Sequence, residues 1–353
     1  MKTILIMAGG TGGHIFPGLA VAEKMRAAGW RVVWLGNPSG MEKKRVEPMG
    51  YEMVWLKFSG VRGKGLMRKL LLPFNLISAF WASYQILKKV QPNVVLGMGG
   101  YISFPCGLMA KLLGYPLVID EQNSIAGLAN KQLARFANKI ATGFPNTLPN
   151  GIWIGNPVRP EIANLRPPGL RALEREGPLH VLVLGGSLGA KAINDMVPKG
   201  LALIESENRP QVVHQSGESH LEELKKAYSD AGVFAHCVPF IEDMAGAYEW
   251  ADLVICRAGA LTIAELSAAG VASFLVPYPY AVDDHQSSNA HLLVEAGAAF
   301  LVQEEDLLPQ KIADVMKYRR AQLVAMGKRA YALTQERPNA AGELANLCAE
   351  VAL

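Results

Sequence analysis

Two stretches of this chain follow the same plan, in which an apolar strand leads into a glycine-rich loop and then into a helix. In the first copy residues 3–7 run into the loop Gly9–Gly13, and in the second residues 180–184 run into Gly185–Gly189. Apolar runs without polar alternation are typical of parallel strands that are buried on both faces. Each copy therefore predicts the first strand and helix of a parallel α/β sheet.

Further strand–loop units occur in matched pairs along the two halves. Residues 93–100 correspond to 252–259, and residues 116–123 correspond to 272–277. Strands that alternate with helices form parallel sheets with right-handed crossovers. We therefore predict an α/β chain with two doubly wound, Rossmann-like domains, whose loops lie at the carboxyl ends of strands and face a central cleft.

Glycine, asparagine and proline residues around position 157 predict the joint between the halves. We assign residues 1–159 to the first domain and residues 160–337 to the second. A last helix is expected to begin near Pro338, because proline suits the first helical turn, and the segment 338–353 is expected to pack back on the first domain. Its apolar stripe consists of Ala341, Leu344, Cys348 and Val351.

Composition excludes several classes of protein. The chain has 353 residues, of which 50% are hydrophobic and 19% charged, with a net charge of +4, so it is apolar enough for two cores and is not disordered. Its lysines and arginines are scattered and no RNA-binding motif occurs, so we expect no nucleic-acid partner. The four cysteines are too sparse for a disulfide scaffold or a metal site and are expected to be buried thiols.

The first residues carry one charge and a short apolar run, as a signal peptide does. The glycine loop follows at once, however, without a cleavage-like spacer, so a buried strand explains them better. Together with the cysteine usage, which suits a reducing compartment, this predicts a cytoplasmic chain.

Residues 70–87 contain no charge, but the segment is short for a membrane span and polar residues interrupt it. Its larger apolar side chains recur at helical spacing, and basic residues flank it on both sides. This pattern fits a helix that lies on an anionic bilayer, and it also fits an ordinary helix packed on a sheet with its lysines in water. The candidate membrane patch consists of Phe74, Ile77, Phe80 and Trp81.

Glycine loops at helix starts indicate phosphate binding. The chain lacks residues that several nucleotide-binding motifs require, and this limits the class of nucleotide that it can bind. Neither loop has the lysine of a nucleoside triphosphatase. Ile15 occupies the place of the third glycine of a dinucleotide fingerprint, and no carboxylate for an adenine ribose follows residues 31–35, which disfavours NAD. No Asp-x-Asp sequence occurs, so a diphosphate would be held by amides, hydroxyls and arginine. No cofactor is required for this, although a divalent metal remains compatible with it.

The loops and several further motifs resemble those of MurG-type glycosyltransferases. Because the resemblance covers nearly the whole chain in order, it is more specific than any single glycine loop. The matching segments are 9–18, 59–65, 97–101, 121–123, 155–159, 185–190, 214–217, 240–244 and 256–265.

The resemblance implies the GT-B fold and a peripheral enzyme of peptidoglycan synthesis on the cytoplasmic face of the inner membrane. Such an enzyme moves N-acetylglucosamine from UDP-N-acetylglucosamine to the 4-hydroxyl of the muramyl sugar of lipid I, an undecaprenyl-pyrophosphoryl muramyl pentapeptide. The product is lipid II, with inversion at the anomeric carbon. The first domain would face the acceptor and an anionic membrane, the second would bind the donor, and other cell-wall synthesis proteins are further partners that it allows.

The resemblance also implies roles for particular residues. His14 would be the base on the acceptor hydroxyl, since histidine accepts protons near neutral pH; the alternative is that it only bonds the helix start or a phosphate. Thr11, Gly12 and Gly13 would present a hydroxyl and amides to the reacting sugar or the acceptor pyrophosphate.

In the second domain Glu265 would accept hydrogen bonds from the uridine ribose, and Ile241 would meet the uracil edge through its backbone. The alternative for Glu265 is that it stabilises the first turn of its own helix. The other implied substrate contacts are Asn123, Arg159, Ser187, Ala260, Leu261, Thr262, Ile263, Ala264 and Gln286. Arg159 also fits a surface position beside a turn.

The chain departs from the family pattern at three places. Asp120 stands where the family often has histidine, and Phe104–Cys106 replaces a small, glycine-rich stretch. The loop 278–286 also differs, so Asp283, Asp284 and His285 receive no role.

Two other functions fit the same residues. A UDP-N-acetylglucosamine 2-epimerase, or a transferase to another lipid, would keep the fold and the donor. A non-catalytic UDP-sugar-binding protein on the membrane would bind the donor without turning it over.

Overall fold

The computed structural model divides the chain into two compact units. Unit 1 comprises Met1–Arg159 together with Asn339–Leu353, and unit 2 comprises Pro160–Pro338. The residues that the structure describes are 1–10, 12–58, 72–173, 175–185 and 190–353. The motif at 59–65 therefore lies outside the described residues. The basic residues that flank the uncharged segment 70–87 on its N-terminal side also lie outside them.

Unit 1 contains a seven-stranded parallel sheet with the strand order β3-β2-β1-β4-β5-β6-β7. Its strands are β1 (Thr3–Met7), β2 (Arg31–Gly36), β3 (Glu52–Trp55), β4 (Val94–Gly97), β5 (Leu117–Glu121), β6 (Lys139–Thr142) and β7 (Ile152–Trp153). The described helices of its first part are α1 (Gly12–Ala27), α2 (Glu42–Arg45), α3 (Leu72–Val90), α4 (Ser103–Leu112) and α5 (Leu128–Leu133).

Unit 2 contains a six-stranded parallel sheet with the order β10-β9-β8-β11-β12-β13. Its strands are β8 (His180–Leu184), β9 (Gln211–Gln215), β10 (His236–Val238), β11 (Leu253–Cys256), β12 (Ala272–Leu275) and β13 (Ala299–Leu301). Its described helices are α6 (Pro160–Ala163), α7 (Pro168–Ala172), α8 (Lys191–Ala202), α9 (Leu221–Asp230), α10 (Met244–Trp250), α11 (Ala260–Ala269), α12 (His285–Glu295), α13 (Pro309–Val315) and α14 (Arg320–Gln335).

The two sheets share one topology. In each, the chain builds outward to one side from the first strand and then crosses to the other side, so that β1 borders β4 and β8 borders β11. The prediction of two parallel α/β sheets in series is confirmed. Ligands of such sheets bind beyond the carboxyl ends of the strands at this reversal of strand order.

Alternate residues of β1 supply the two cores of unit 1. Ile4 and Ile6 face one helical layer, which includes α1, whereas Leu5 and Met7 face the layer of α3, α4 and α5. All five residues of β1 are buried. This double burial explains why the strand is apolar from Ile4 to Met7 and not alternating.

The C-terminal helix α15 (Ala340–Val351) packs on unit 1, with Leu344 and Cys348 completely buried in the core that contains α1. The helix begins close to Pro338, as expected, but Pro338 itself precedes the first turn. Asn339 caps the helix instead, because its side-chain oxygen accepts a hydrogen bond from the Gly342 amide at 3.2 Å. Such side-chain caps define a helix start more strongly than a preceding proline.

All four cysteines are free thiols. Cys106, Cys256 and Cys348 are buried, as predicted, whereas Cys237 is only half-buried. Burial raises the pKa of the Cys106 and Cys256 thiols to about 12. These two thiols are therefore protonated and unreactive near neutral pH.

Candidate active site

His14 lies in the first turn of α1, after the loop that follows β1. Its half-buried ring lies against Gly99 and Gly100, the residues that follow β4. Both glycines have a positive φ, and a Cβ atom on Gly100 would lie 2.9 Å from the Gly9 carbonyl oxygen. Glycine is therefore required where β1 and β4 bring their loops together, and His14 occupies the strand-order reversal of unit 1.

The His14 ring is connected to the buried end of β5. Its Nδ1 atom is 2.8 Å from Oε1 of Gln122, and the Gln122 side-chain nitrogen donates to Asp120, at 2.6 Å to Oδ2 and 3.2 Å to the carbonyl oxygen. Asp120 is completely buried, and its Oδ1 atom has no hydrogen-bond partner among the described residues. Burial raises the Asp120 pKa to about 7; the Gln122 hydrogen bond opposes this rise and the Glu121 charge adds to it.

Glu121 holds the loop that contains Gln122 and Asn123. One of its carboxylate oxygens accepts from the Asn123 amide at 3.0 Å, and the other accepts from the Gly127 amide at 3.0 Å and from Asn130 at 2.9 Å. Glu121 itself is 2% exposed. Asn123 is consequently fixed, half-buried, at the carboxyl edge of the sheet of unit 1.

Arg159 is half-buried, and its guanidinium lies over the Phe16 ring at 5.8 Å from the centroid. Phe16 belongs to α1, so this cation–π contact places Arg159 against the helix that carries His14. Gly12 is half-buried and Gly13 exposed at the start of that helix. Thr11 lies outside the described residues.

In unit 2, α11 begins directly after the loop that follows β11. Gly259 precedes the helix without a side-chain cap, and the first intrahelical hydrogen bond is the one that Ile263 donates to Gly259. The amides of Ala260, Leu261 and Thr262 therefore precede the hydrogen-bonded turns at the positive end of the helix. This arrangement suits a phosphate group.

Glu265 lies in the second turn of α11 and is half-buried. One of its carboxylate oxygens accepts from the buried Tyr248 hydroxyl at 3.1 Å. The first turn of α11 contains no acidic residue, so Glu265 lies one turn beyond the amides that it would stabilise under the alternative. Ala264 beside it is half-buried, and the side chain of Ile263 points into the core of the unit.

Two residues that were predicted to contact the UDP-sugar already have hydrogen-bond partners within unit 2. The Gln286 side-chain oxygen accepts from the Tyr278 amide at 3.0 Å, and the Ile241 amide donates to Oε1 of Gln215 at 3.1 Å. The bond to Gln215 thus occupies the Ile241 amide within the protein. Ser187 lies outside the described residues.

Arg257 and Asn289 shape the same edge of unit 2. The Arg257 guanidinium donates to the carbonyls of Val276 and Pro277 and pairs with Glu304, which occupies it within the protein. Asn289 is completely buried and donates to the Ala258 carbonyl at 3.2 Å, so it fixes the loop before α11. Sequence reasoning missed Asn289, although it lies three residues after Gln286 on one helix, a spacing that places both on the same face.

Two family models match the chain. The N-terminal domain of glycosyltransferase family 28 matches residues 4–142, and the C-terminal domain of that family matches residues 180–342. The chain is 61% identical over 351 residues, 99% of both chains, to the "UDP-N-acetylglucosamine--N-acetylmuramyl-(pentapeptide) pyrophosphoryl-undecaprenol N-acetylglucosamine transferase" of Dechloromonas aromatica (strain RCB). The chain belongs to glycosyltransferase family 28. A relative of the same name from Azoarcus sp. (strain BH72) is 56% identical over 353 residues, 100% of this chain and 99% of that one.

Solved structures place this family 28 chain among known folds. The crystal structure of Acinetobacter baumannii MurG matches it with a TM-score of 0.85 at 38% identity, over 99% of this chain and 100% of that one. The glycosyltransferase of kitacinnamycin matches with a TM-score of 0.73 at 16% identity, over 100% of this chain and 99% of that one, which is a likeness of fold alone. The family 28 chain is a GT-B glycosyltransferase with two parallel-sheet α/β domains.

Helix α3 of this family 28 enzyme has one packed face and one exposed apolar face. Ala79, Ser83 and Leu87 are buried, whereas Phe74, Ile77 and Trp81 are 72%, 67% and 62% exposed. Phe80 differs from these three, because it is half-buried with its ring against Phe104 at 6.3 Å. The helix thus packs as an ordinary amphipathic helix does and still presents large apolar side chains to solvent. Among the described helices, none has the length and apolar character needed to span a bilayer.

The described part of this family 28 enzyme shows no cluster of metal-ligating side chains. Within the described residues, no group of three or more histidine, cysteine, aspartate or glutamate side chains is placed to hold a metal ion. Asp283 and Asp284 both have a positive φ, and the Asp284 carboxylate accepts from the Ser287 hydroxyl at 2.8 Å.

Proposed function

We propose that this family 28 enzyme transfers N-acetylglucosamine from UDP-N-acetylglucosamine to the 4-hydroxyl of the muramyl sugar of lipid I. The product is lipid II of peptidoglycan synthesis, with inversion at the anomeric carbon. The observation that carries the proposal is the full-length likeness, at 61% identity, to a relative that is named for this transfer. The geometry of both units supports the same chemistry.

Unit 2 is the proposed donor domain. The amides of Ala260, Leu261 and Thr262 face the diphosphate at the start of α11, together with Ser187, and no resident metal is needed for this contact. Glu265 accepts the ribose hydroxyls, while Tyr248 fixes its carboxylate. The Ile241 backbone meets the uracil edge, and the Gln286 side-chain nitrogen reaches the sugar hydroxyls.

Unit 1 is the proposed acceptor domain. Inversion by direct displacement forms the bond between the acceptor oxygen and the anomeric carbon while the bond to UDP breaks, so a base must take the hydroxyl proton. His14 is that base. Thr11, Gly12 and Gly13 supply a hydroxyl and amides for an anionic group of the acceptor, and Asn123 and Arg159 line the same edge.

The exposed face of α3 is the proposed membrane contact of unit 1. Phe74, Ile77 and Trp81 enter the interface, Phe80 supports them from the packed side, and the following Lys88 and Lys89 lie close to lipid phosphates. Because the lipid of the acceptor stays in the bilayer, a peripheral position on the cytoplasmic face of the inner membrane gives the enzyme access to it. Other cell-wall synthesis proteins are further candidate partners there.

The direct test is transfer of labelled N-acetylglucosamine from UDP-N-acetylglucosamine to a short-chain lipid I analogue by the full chain. We expect a labelled disaccharide product with a β linkage, and its loss in His14→Ala. Donor binding without any transfer would support the non-catalytic alternative. Formation of UDP-N-acetylmannosamine without an acceptor would support the epimerase.

A further inference from the structure

The hydrogen bonds that end at His14 allow one assignment of donors and acceptors. The Asp120 carbonyl and carboxylate oxygens both accept from the Gln122 side-chain nitrogen, at 3.2 and 2.6 Å. The Gln122 oxygen therefore faces His14, 2.8 Å from Nδ1. Since an amide oxygen only accepts, Nδ1 must carry the proton, and Nε2 is left as the basic nitrogen.

We propose that Asp120 is a positioning residue of the transfer reaction. It acts through Gln122, because it orients the amide whose oxygen fixes both the rotation and the tautomer of the His14 ring. The proton of the acceptor hydroxyl then goes to Nε2. The inference rests on the proposed role of His14 as the base. It adds Asp120 and Gln122 as the residues that hold this base in position.

The surroundings of Asp120 favour a functional role over a stabilising one. The side chain is completely buried, and its Oδ1 atom lacks a hydrogen-bond partner among the described residues. Its titratable neighbours are the Glu121 carboxylate on the same strand, whose charge raises the Asp120 pKa, and the buried Cys348 thiol on α15. A buried carboxyl group in such a place costs folding free energy. Its hydrogen bond to Gln122 gives it a use in holding His14.

The first test measures the tautomer directly, without activity. Nitrogen-15 NMR of the full chain labelled at histidine, with the His14 signals assigned from His14→Ala, reports which ring nitrogen carries the proton. We expect the Nδ1–H form in the unmodified chain, and a shift of the proton towards Nε2 in Gln122→Ala and Asp120→Ala. An unchanged proton distribution in both variants would overturn the inference.

The second test is a kinetic double-mutant cycle. Asp120→Ala and Gln122→Ala should each lower kcat about 10- to 100-fold, which is the size expected when a catalytic group is misplaced by about 1 Å, with KM for UDP-N-acetylglucosamine unchanged. In the His14→Ala background neither change should lower the residual rate further. If both lower that residual rate by their full factor, they act independently of His14, and the inference is wrong.

Asn138→Ala is the matched control, because the Asn138 oxygen accepts from the Leu117 amide at 3.0 Å, at the opposite end of β5. It removes a side-chain hydrogen bond from the same strand and should leave kcat and the His14 tautomer unchanged. The two proposals fail in different ways. If His14→Ala keeps its kcat, the base assignment fails; if only His14→Ala loses kcat, the positioning inference fails.

Discussion

The carboxyl edges of the two sheets carry different kinds of groups, although the strand orders correspond. In unit 1 a histidine, an amide and a buried carboxyl group form a chain of side-chain hydrogen bonds. In unit 2 the same edge presents the backbone amides at the start of α11, and neighbouring polar side chains bind to the protein itself. Under the proposed function, one topology would serve proton transfer in unit 1 and anion binding in unit 2.

The histidines of the two units show the same contrast. His214 on β9 is completely buried, its ring nitrogens are bonded to the Tyr228 hydroxyl and the Asn194 oxygen, and burial lowers its pKa to about 3. It is therefore a neutral structural residue. His14 is half-buried and fixed through Nδ1 to Gln122. A base needs a ring that is held in place and is still partly open to a substrate.

The largest effect should come from the base of unit 1. His14→Ala should lower kcat by about 100- to 10,000-fold, the usual contribution of a general base, while the Kd for UDP-N-acetylglucosamine stays the same because the donor binds to unit 2. Steady-state kinetics and calorimetric titration measure the two quantities. The exposed His236→Ala on β10 is the control and should change neither. A weaker donor affinity at an unchanged kcat would contradict the assignment of the base to unit 1 and of the donor to unit 2.

The complementary change in unit 2 should act on binding. Glu265→Ala removes hydrogen bonds to a charged group, which are worth about 1.5–3 kcal/mol, so the Kd for UDP-N-acetylglucosamine should rise about 10- to 100-fold. Glu249→Gln is the control, because Glu249 lies on α10, the helix before α11, and forms an exposed pair with Arg166. Calorimetric titration compares them. Equal donor affinity in both variants would argue against the ribose contact.

Membrane binding should also distinguish the units. Phe74→Asp combined with Trp81→Asp should reduce binding to vesicles of anionic phospholipid at least about tenfold, because each buried aromatic side chain contributes about 1.5–3 kcal/mol. The melting temperature should not change, since both side chains are exposed. Phe234→Asp in unit 2, where Phe234 is 91% exposed, is the control. Flotation that is unaltered by the α3 changes would leave α3 as a packed helix only.

The last effect concerns stability. The Asp120 pKa is about 7 in the folded chain, against about 3.9 for an unfolded aspartate, so the folded chain binds an extra proton between these values. The free energy of unfolding should therefore fall as the pH rises from about 4 to about 7, by at most about 1.4 kcal/mol per pH unit. Asp120→Asn removes this contribution. Urea unfolding at pH 5 and pH 7 should show a smaller loss of unfolding free energy in the variant than in the unmodified chain. Equal losses in the two chains would contradict a raised pKa of Asp120.

The central strands were predictable from the sequence because both of their faces are buried. The runs at 3–7 and 180–184 coincide with β1 and β8, residue for residue. The edge strands β3 and β10 gave no such signal, since their short segments contain half-buried and exposed residues. A continuous apolar run reports burial on two faces, which edge strands lack.

The positions of the candidate site residues were predictable where a side chain follows a strand end and unpredictable where packing decides its partners. The places of His14 and Glu265 follow from the glycine loops before their helices. The bond between His14 and Gln122 joins residues 108 positions apart, so no local pattern reports it. Arg257 has the charge of a diphosphate ligand, and only the fold shows that Glu304 and two carbonyls occupy it.

Hydrogen–deuterium exchange of the full chain, with and without UDP-N-acetylglucosamine, tests the division of labour most directly. We expect the donor to protect the amides of Ala260, Leu261 and Thr262, because under the proposal these face the diphosphate. Protection confined to the start of α1, with the α11 amides exchanging as before, would contradict it.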